Sequence, residues 1–361
     1  MAEVPPKSLQ GVTIARGALT RAGQIVKQVA PTRRVFLCAD TIVMDLLGNR
    51  VTHALTASGL QVRHHTFPPG EESKSLHVAA DLYDWLAAER AERKEPLIAL
   101  GGGVAGDLIG FVAATYARGI PLVQIPTTLL AQIDSSIGGK VAVDLPAGKN
   151  LVGAFYPAHL VIIDPDALAT LPRPQLIADY AEVIKTAVIF DADLFELIES
   201  STHRLDDPAL LAELVERCVR WKAKVVDEDP EDRGIRAILN YGHTIAHAIE
   251  TVAGYGAYRH GEAVAIGMVG AGRLAQQSGH WSAADLTRQN NLLAAIGLPS
   301  SFSGVDPSHV LDAMLRDKKV QNGIIRWVLP TTLGHATVNN QLNPTLVTQT
   351  IHHLATTPRP S

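Results

Sequence analysis

Apolar residues in the first half of the chain fall into short runs, and segments with helical periodicity separate these runs. The runs typical of buried strands are Val35–Ala39, Val62–Phe67, Pro96–Leu100, Pro121–Ile125 and Leu160–Ile163. The segments typical of helices include Met44–Ala57 and Leu76–Glu92. Short apolar strands that alternate with helices are characteristic of parallel βαβ units. The pattern therefore predicts an α/β fold with a Rossmann-like, mainly parallel sheet.

The periodicity changes near Leu171 and is mostly helical from Pro174 onward. The predicted helices of this half are Leu176–Phe190, Ala209–Val226, Ile238–Val252 and Glu262–Gln277, and Val320–Leu329 is compatible with a strand or hairpin. Since domains commonly span about 100 to 200 residues, the 361-residue chain predicts two of them. We expect an α/β domain over residues 1–171 and an all-helical domain over residues 172–361.

The composition of the chain argues against several classes of protein. The chain is 47% hydrophobic and carries a formal net charge of −4, with no basic run, so we expect no nucleic-acid partner. We expect no membrane partner and no secretory signal, because long apolar stretches are missing. Cys38 and Cys218 lack the spacing of a metal knuckle and are expected to be buried small hydrophobes. A reducing cytoplasm is the expected compartment.

Two loops that follow predicted strands could hold a nucleotide. Gly101-Gly102-Gly103-Val104-Ala105-Gly106-Asp107 lies between a strand and a helical segment, where glycines let the backbone approach a pyrophosphate. This spacing differs from GxGxxG, so a plain tight turn is an alternative. Thr127 and Thr128 follow the next strand and add hydroxyl groups. Together the two loops favour a nucleotide at the carboxyl edge of the sheet.

A second constellation could bind phosphate. Lys140 follows a pair of glycines, and Lys149 and Asn150 follow Gly148. Ammonium groups close to flexible backbone are suited to phosphate. A solvated loop with ordinary surface lysines is an equally good interpretation of the spacing alone.

The strongest chemical signal is a group of histidines in an otherwise apolar region. His243 and His247 have i,i+4 spacing on one predicted helix face, and His260 begins a later helical stretch. Neutral imidazoles at this spacing can both reach one metal ion. Glu182 is the natural acidic partner, because two imidazoles and one carboxylate suit catalytic zinc. Glu182 and Lys185, with i,i+3 spacing, would by themselves be interpreted as an ordinary ion pair.

Taken together, these segments resemble the 3-dehydroquinate synthase family of sugar phosphate cyclases. The resemblance extends from about Pro69 to Pro330 and rests on GGGVAGD, PTTLLAQIDSSIGGK, GKNLVGAF, AEVIK, LNYGHTIAHAIE and HGEAVAIGM. Six motifs in the order of the family are far more specific than any one of them.

The resemblance implies a homodimeric lyase with an NAD-binding α/β half and a helical half that binds metal and substrate. The implied reaction converts 3-deoxy-D-arabino-heptulosonate 7-phosphate into 3-dehydroquinate and phosphate, a step of the shikimate pathway to aromatic amino acids. It proceeds by transient oxidation with NAD+, elimination of phosphate, reduction and intramolecular aldol closure. NAD+ ends as it began and is therefore a catalytic cofactor.

The resemblance also assigns roles to residues, with Zn2+ or Co2+ as the metal. The implied metal ligands are Glu182, His243 and His260. The implied cofactor contacts are Asp40, Gly70, Glu71, Glu72, Ser73, Lys74, Gly103, Val104, Ala105, Gly106, Asp107, Thr127, Thr128, Asp134, Lys140, Lys149, Leu168, Ala169 and Thr170. The implied substrate and catalytic residues are Arg118 (acting on the neighbouring subunit), Lys140, Asn150, Lys185, Lys222, Arg236, Asn240, His247, and either Lys318 or Lys319. His247 thereby becomes a substrate contact instead of a metal ligand.

Three other functions compete with this interpretation. Cyclases that make 2-epi-5-epi-valiolone or 2-deoxy-scyllo-inosose share the fold, NAD and metal, but usually depart from the pattern that Lys140 and His247 preserve here. Relatives that use an amino substrate stay open. A metal-dependent polyol dehydrogenase would share the glycine-rich turn but would need no phosphate cradle. A scaffold protein would be expected to have lost the three metal ligands.

Overall fold

The computed structural model describes residues 6–30, 32–254, 256–316 and 325–356 and divides the chain into two compact units. The first, termed the sheet unit, comprises Met1–Leu171 and Asp206–Glu231. The second, termed the helical unit, comprises Pro172–Leu205 and Asp232–Ser361. The division after Leu171 falls where the periodicity changes. Asp206–Glu231 groups with the sheet unit, whereas the predicted domain over residues 172–361 includes it.

The sheet unit is built on a six-stranded parallel sheet, as the sequence predicts. Its strands, with those of an adjacent hairpin, are β1 (Val12–Ile14), β2 (Arg34–Asp40), β3 (Gln61–Phe67), β4 (Leu97–Gly101), β5 (Leu122–Pro126), β6 (Lys140–Leu145), β7 (Gly148–Phe155) and β8 (Leu160–Ile163). The order across the sheet is β1-β8-β5-β4-β2-β3, and every neighbouring pair is parallel.

Helices cover both faces of this sheet. They include α1 (Ala22–Val29), α3 (Asn49–Ala57), α4 (Leu76–Ala88) and α5 (Gly103–Thr115). The unit also contains α2 (Thr41–Val43) and, later in the chain, α8 (Pro208–Glu228). Side chains of β2 alternate between two cores, because successive residues of a strand point to opposite faces. Val35 and Leu37 belong to the core that includes Leu55 of α3, and Phe36 belongs to the core that includes Leu108 of α5. Burial on both faces explains why the strands read as continuous apolar runs.

The pair β6 and β7 forms an antiparallel hairpin that the sequence did not predict. Its buried residues Val141 and Val143 pack into the core that contains α5. Gly110 of α5 permits this contact, since a Cβ atom there would lie 2.4 Å from Cγ1 of Val141. The hairpin carries Lys140 and Lys149, two of the predicted site residues.

The helical unit is predominantly α-helical, in agreement with the prediction, and also contains a small hairpin. Its elements are α6 (Arg173–Phe190), α7 (Ala192–Ser200), α9 (His243–Ala253), α10 (His260–Gln277), α11 (Ala283–Ile296), α12 (Pro307–Arg316), α13 (Pro344–Leu354), β9 (Trp327–Thr332) and β10 (His335–Asn339). The hairpin overlaps the end of the predicted Val320–Leu329 strand, whose residues 320–324 lie outside the described residues. None of the described helices has the length and apolar character required to cross a membrane.

The segment predicted as one helix over Ile238–Val252 is interrupted. A 3-10 helix ends at Asn240, and α9 begins at His243, with Gly242 between them at a φ of 79°. Glycine is required there because a Cβ atom would lie 2.9 Å from the carbonyl oxygen of Val264 and the left-handed backbone disfavours side chains. Gly267 of α10 packs against the same turn, and a Cβ atom on it would lie 2.0 Å from the carbonyl oxygen of Gly242. The interruption puts His243 at the first position of a helix.

We expect Tyr241→Phe to lower the free energy of unfolding by about 1–3 kcal/mol, because a buried acceptor would lose its donor. The Tyr241 hydroxyl is fully buried and donates to Oε1 of Gln289 over 2.6 Å. Urea denaturation of the metal-free proteins would measure the change. Tyr258→Phe is the matched control, since its hydroxyl bonds to the exposed Ser303 backbone and water can replace it. Equal losses in both variants would contradict the expectation.

Candidate active site

Three side chains of the helical unit converge on one point. Glu182 projects from α6, His243 is the first residue of α9 and His260 is the first residue of α10. One ligand atom from each lies within 4.8 Å of the others. The Nε2 atom of His243 is 3.2 Å from Oε1 of Glu182, and Nε2 of His260 is 3.4 Å from the same oxygen. The structure therefore brings together the three residues that were assigned as metal ligands.

The carboxylate of Glu182 is buried within the helical unit. Its side chain is 2% exposed, as is that of Lys185, one turn later on α6, with which it forms a close ion pair. Among the described residues, no donor offers either oxygen of Glu182 a hydrogen bond of ordinary geometry. A buried carboxylate facing two imidazole nitrogens matches the donor set that zinc or cobalt prefers. The residues present therefore fit a divalent metal.

Close packing between α10 and α6 brings His260 to Glu182. Gly261 follows His260, and a Cβ atom on it would lie 1.8 Å from the carbonyl oxygen of Ala178. Ala178 is one turn before Glu182 on α6, so the missing side chain lets the start of α10 touch α6 beside the carboxylate. A larger residue would hold the two helices apart.

The three groups also set each other's protonation. Burial by itself would raise the pKa of Glu182, but the Lys185 ammonium and the two imidazoles hold that pKa well below its usual range. Burial lowers the pKa of His243 to about 4, against the opposing effect of the Glu182 carboxylate. Burial would lower the pKa of His260 as well, but the neighbouring carboxylates of Glu182 and Glu250 outweigh it and raise that pKa to about 10. A metal ion that binds here must therefore displace a proton from His260.

His247 lies beside the ligand group without belonging to it. Its ring stands edge-on to His243 with centroids 5.5 Å apart, and its centroid is 6.4 Å from that of His260. Helix spacing favoured His243 and His247 as the pair that shares the metal, whereas the residues whose ligand atoms lie within 4.8 Å of one another are Glu182, His243 and His260. His260 takes that place because α10 begins directly against α6, a contact that spacing along α9 cannot reveal.

The other predicted substrate residues of this unit include two charged side chains that are almost fully buried. Lys185 and Arg236 are 2% and 3% exposed, which is unusual for charged side chains. Arg236 and Asn240 stand near opposite ends of the 3-10 helix Ile235–Asn240, which leads into α9. The ammonium of Lys185 already has an anionic partner in Glu182. The contact of Lys185, Arg236 and Asn240 with substrate stays a prediction.

The predicted cofactor contacts of the sheet unit follow the carboxyl ends of adjacent parallel strands. Ligands of open parallel sheets bind at this edge. The segments concerned are Asp40 at the end of β2, Gly70–Lys74 after β3, Gly103–Asp107 after β4, Thr127 and Thr128 after β5, and Leu168–Thr170 after β8. The five strands are contiguous in the sheet order, so these segments share one edge.

The glycine-rich turn after β4 is held tightly against the loop after β5. A Cβ atom on Gly102 would lie 2.9 Å from Cγ2 of Thr128, and one on Gly101 would lie 2.6 Å from Cβ of Ala105. The amide of Thr127 also donates to the carbonyl oxygen of Gly101 over 3.0 Å. Helix α5 starts at Gly103, so the first amides of that helix point out of the turn, as an anion site requires.

Two predicted cofactor lysines of this unit pair with predicted cofactor carboxylates. Nζ of Lys74 lies 2.5 Å from Oδ2 of Asp107, and Nζ of Lys149 lies 3.1 Å from Oε1 of Glu71. Burial alone would lower the pKa of Lys74, but the Asp107 carboxylate outweighs it and raises that pKa. The ammonium of Lys74 is therefore charged and fixed in position.

Lys222 and Asp134 form a close ion pair within the sheet unit. Lys222 is located on α8, so the contiguous domain prediction assigned it to the helical half, whereas contacts group it with the sheet.

Two predicted site residues lie on the hairpin. Lys140 begins β6 with an exposed side chain, and the backbone amide of Asn150 on β7 donates to Oδ1 of Asp144 over 2.8 Å. Asn150 has a φ of 55°, a conformation that asparagine tolerates better than most residues.

The remaining predicted residues are less constrained by the structure. Arg118 is exposed after α5 with a φ of 64°, and it stays a predicted contact with a neighbouring subunit. Lys318 and Lys319 lie outside the described residues. Sequence reasoning missed Glu250, whose Oε1 is 3.3 Å from Nδ1 of His260. Its only signal was its place on the predicted helix face of the histidines.

The sequence matches two family models, one over each part of the chain. The family described as "3-dehydroquinate synthase N-terminal" matches residues 64–178, and that described as "3-dehydroquinate synthase C-terminal" matches residues 179–320. The 3-dehydroquinate synthase of Nostoc punctiforme is 45% identical over 352 residues, which cover 96% of this chain and 97% of that protein.

Two solved structures have a closely similar fold. ValA, the 2-epi-5-epi-valiolone synthase of Streptomyces hygroscopicus, was solved with NAD+ and Zn2+ bound. It gives a TM-score of 0.88 at 26% identity and covers 98% of each chain. A 2-deoxy-scyllo-inosose synthase complexed with carbaglucose-6-phosphate, NAD+ and Co2+ gives a TM-score of 0.86 at 28% identity, covering 95% of this chain and 96% of that one.

Proposed function

Because the chain belongs to the 3-dehydroquinate synthase family, we propose that it converts 3-deoxy-D-arabino-heptulosonate 7-phosphate into 3-dehydroquinate and phosphate. The observation that carries the proposal is the convergence of Glu182, His243 and His260 within 4.8 Å. One carboxylate and two imidazoles would leave a fourth position on zinc open for a substrate oxygen. A structural zinc site, as in a scaffold protein, would instead be closed by four protein ligands.

The residues that would hold the cofactors belong to different units. Glu182, His243 and His260 of the helical unit would hold zinc or cobalt, and the carboxyl edge of the sheet would hold NAD+. When bound, NAD+ accepts and returns a hydride at a secondary alcohol, and the divalent metal acts as a Lewis acid on an oxygen atom. Solved relatives that carry NAD+ with Zn2+ or Co2+ support both assignments.

The chain's own side chains would bind and orient a strongly anionic substrate. Lys140 and Asn150 of the hairpin would contact its phosphate, and Arg236 would contact charge elsewhere on it. Lys185 is already held against Glu182, so its ammonium is fixed in position before substrate arrives. Fixed cations of this kind lower the barrier by positioning the substrate and by stabilising charge that develops during elimination. His247 would hydrogen-bond to substrate next to the metal ligands.

Another sugar phosphate cyclase is the nearest alternative, since the two solved relatives make 2-epi-5-epi-valiolone and 2-deoxy-scyllo-inosose. Identity to these proteins is 26% and 28%, against 45% to a 3-dehydroquinate synthase over nearly the whole chain. Lys140 and His247 also retain the pattern of the dehydroquinate enzymes. A polyol dehydrogenase would leave the lysines of the hairpin without a role.

The decisive experiment measures phosphate release. With the heptulosonate phosphate, zinc and a catalytic amount of NAD+, we expect one phosphate per carbocycle formed and no net accumulation of NADH. Glucose 6-phosphate, the sugar that corresponds to the carbaglucose-6-phosphate bound by the 2-deoxy-scyllo-inosose synthase, should give no carbocycle. Steady accumulation of NADH would instead indicate a dehydrogenase, and turnover of glucose 6-phosphate would reassign the substrate.

We further propose that the protein acts as a homodimer in the cytoplasm, with no nucleic-acid or membrane partner. Support comes from the family and from the net charge of −4, which offers nucleic acid no strong attraction. Arg118 would contribute to the phosphate site of the neighbouring subunit. Sedimentation velocity of the purified protein tests the dimer, and a monomer that retains full turnover would remove the role of Arg118.

Replacement of Lys140 by alanine should weaken substrate binding strongly while leaving NAD+ binding intact, since its ammonium is expected to contact phosphate. We expect a loss of about 10- to 100-fold, because charge-assisted hydrogen bonds contribute roughly 1.5–3 kcal/mol. Calorimetric titration with a non-reactive phosphonate analogue and with NAD+ measures both affinities. Lys94→Ala is the control, an exposed lysine just before β4 at the opposite edge of the sheet. Unchanged analogue affinity in Lys140→Ala would remove this residue from the phosphate site.

A further inference from the structure

We propose that Glu250 is a positioning residue that orients the imidazole of His260, and that tight binding of the catalytic metal depends on it. The inference deepens the proposed function, because it rests on the metal centre formed by Glu182, His243 and His260. Glu250 itself is not placed among the metal ligands.

The two ring nitrogens of His260 face carboxylates on two different helices. Its Nδ1 atom is 3.3 Å from Oε1 of Glu250 on α9, and its Nε2 atom is 3.4 Å from Oε1 of Glu182 on α6. Glu250 lies two turns after His243 on α9, which puts both side chains on the same face of that helix. The ring of His260 is therefore held between the two carboxylates.

The contact with Glu250 decides which nitrogen of His260 keeps its hydrogen when a metal ion displaces the other proton. A carboxylate can only accept, so the contact with Glu250 requires hydrogen on Nδ1. The lone pair of the neutral ring is then on Nε2, which faces Glu182. The same logic applies to His243, whose Nδ1 contacts the carbonyl oxygen of Tyr241 at 3.1 Å while its Nε2 faces Glu182. Both ligands thus present Nε2 to one point.

The two histidines differ in how firmly they are held. The side chain of His243 is 12% exposed and its partner is a backbone carbonyl, which substitution cannot remove. The side chain of His260 is 33% exposed and its partner is the side chain of Glu250, itself only 14% exposed. A more exposed ring has more rotational freedom to lose when it binds metal. His260 is therefore the ligand whose orientation depends on a replaceable side chain.

A hydrogen-bond acceptor beside a metal-binding histidine fixes the tautomer and the orientation of the ring, so that less order must be imposed when the metal binds. Removal of such partners typically weakens metal affinity by about 10- to 100-fold. We expect Glu250→Met, which preserves length and helix propensity but cannot accept this bond, to fall in that range. Glu250→Gln retains an acceptor oxygen and should restore most of the affinity.

The test measures zinc affinity by competition with a chromophoric chelator, so it does not depend on turnover. Glu250→Met, Glu250→Gln and the unaltered protein are compared with Glu196→Met, which makes the same substitution at an exposed position of α7. We expect weakened binding in Glu250→Met alone. The visible absorption bands of the Co2+-substituted protein should change in the same variant, because they report ligand geometry. Urea denaturation of the metal-free proteins should show no difference between Glu250→Met and Glu250→Gln.

Unchanged zinc affinity and an unchanged cobalt spectrum in Glu250→Met would overturn the inference. So would an equal loss in Glu250→Gln, which would indicate charge instead of orientation, or a collapse of the metal-free Glu250→Met protein, which would indicate a structural role. Failure of this inference leaves phosphate release by the unaltered protein intact. Failure of the proposed function would appear first as an unaltered protein that neither binds zinc nor releases phosphate.

Discussion

Replacement of His260 by alanine should lower turnover by at least about 1000-fold and reduce bound zinc to well below one ion per chain. Of the three grouped residues, Glu182 and His243 would remain to hold the ion in that variant, and two ligands are too few for a catalytic zinc site. Lewis-acid stabilisation by zinc is worth several kcal/mol, and each 1.4 kcal/mol corresponds to about a factor of ten in rate. Plasma emission on the dialysed protein measures the zinc, and phosphate release measures turnover.

His352→Ala provides the comparison for this result. His352 is an exposed histidine on α13 of the same helical unit, so its removal alters composition without altering the ligand group. We expect its zinc content and turnover to match those of the unaltered protein. A full equivalent of zinc in His260→Ala would show that His260 is not a ligand. Zinc loss in both variants would point to a general change in the unit.

Introduction of a single methyl group at Gly261 should destabilise the protein by about 3 kcal/mol or more and weaken zinc binding. The new Cβ atom would lie 1.8 Å from the carbonyl oxygen of Ala178, and this atom belongs to the backbone of a buried helix. Overpacking of this kind costs roughly 1–3 kcal/mol where side chains can adjust, and backbone atoms adjust less. Helix α10 would have to move away from α6, which would carry His260 away from Glu182.

The sign of this effect is informative, because alanine is normally favoured over glycine within a helix by about 1 kcal/mol. Gly48→Ala is the matched control, since its new methyl would meet the flexible end of Met44 at 2.4 Å instead of backbone. We expect that variant to be neutral or slightly more stable in urea denaturation. A Gly261→Ala protein with unchanged stability and zinc affinity would contradict the close contact between α10 and α6.

The position of Lys222 shows how chain order can mislead about grouping. The helical periodicity of Ala209–Val226 correctly predicted α8, and α8 follows helices of the helical unit in the chain. Even so, its contacts assign it to the sheet unit, where Lys222 pairs with Asp134. Periodicity reports that a helix has a buried face, but it carries no information about which surface covers that face. The partner is decided by tertiary packing.

The hairpin of β6 and β7 shows a second limit. Its two strands contain polar residues and glycines among their apolar residues, so they form no continuous apolar run from which strands could be predicted. Two-stranded hairpins gain stability mainly from what they pack against, here the core around α5. That contact depends on Gly110, whose significance is visible only when Val141 is seen beside it.

The sequence by itself determined the parallel sheet, because strands buried on both faces must be continuously apolar. It also supplied Glu182, His243 and His260 as candidate ligands, because carboxylates and imidazoles are groups that zinc prefers. Helix spacing favoured His243 and His247 as a pair, and only the tertiary structure shows that ligand atoms of Glu182, His243 and His260 lie within 4.8 Å of one another and that Glu250 lies beside His260. Spacing within one helix can be read from the chain, whereas the approach of α10 to α6 depends on a backbone contact between Gly261 and Ala178 that local sequence does not encode.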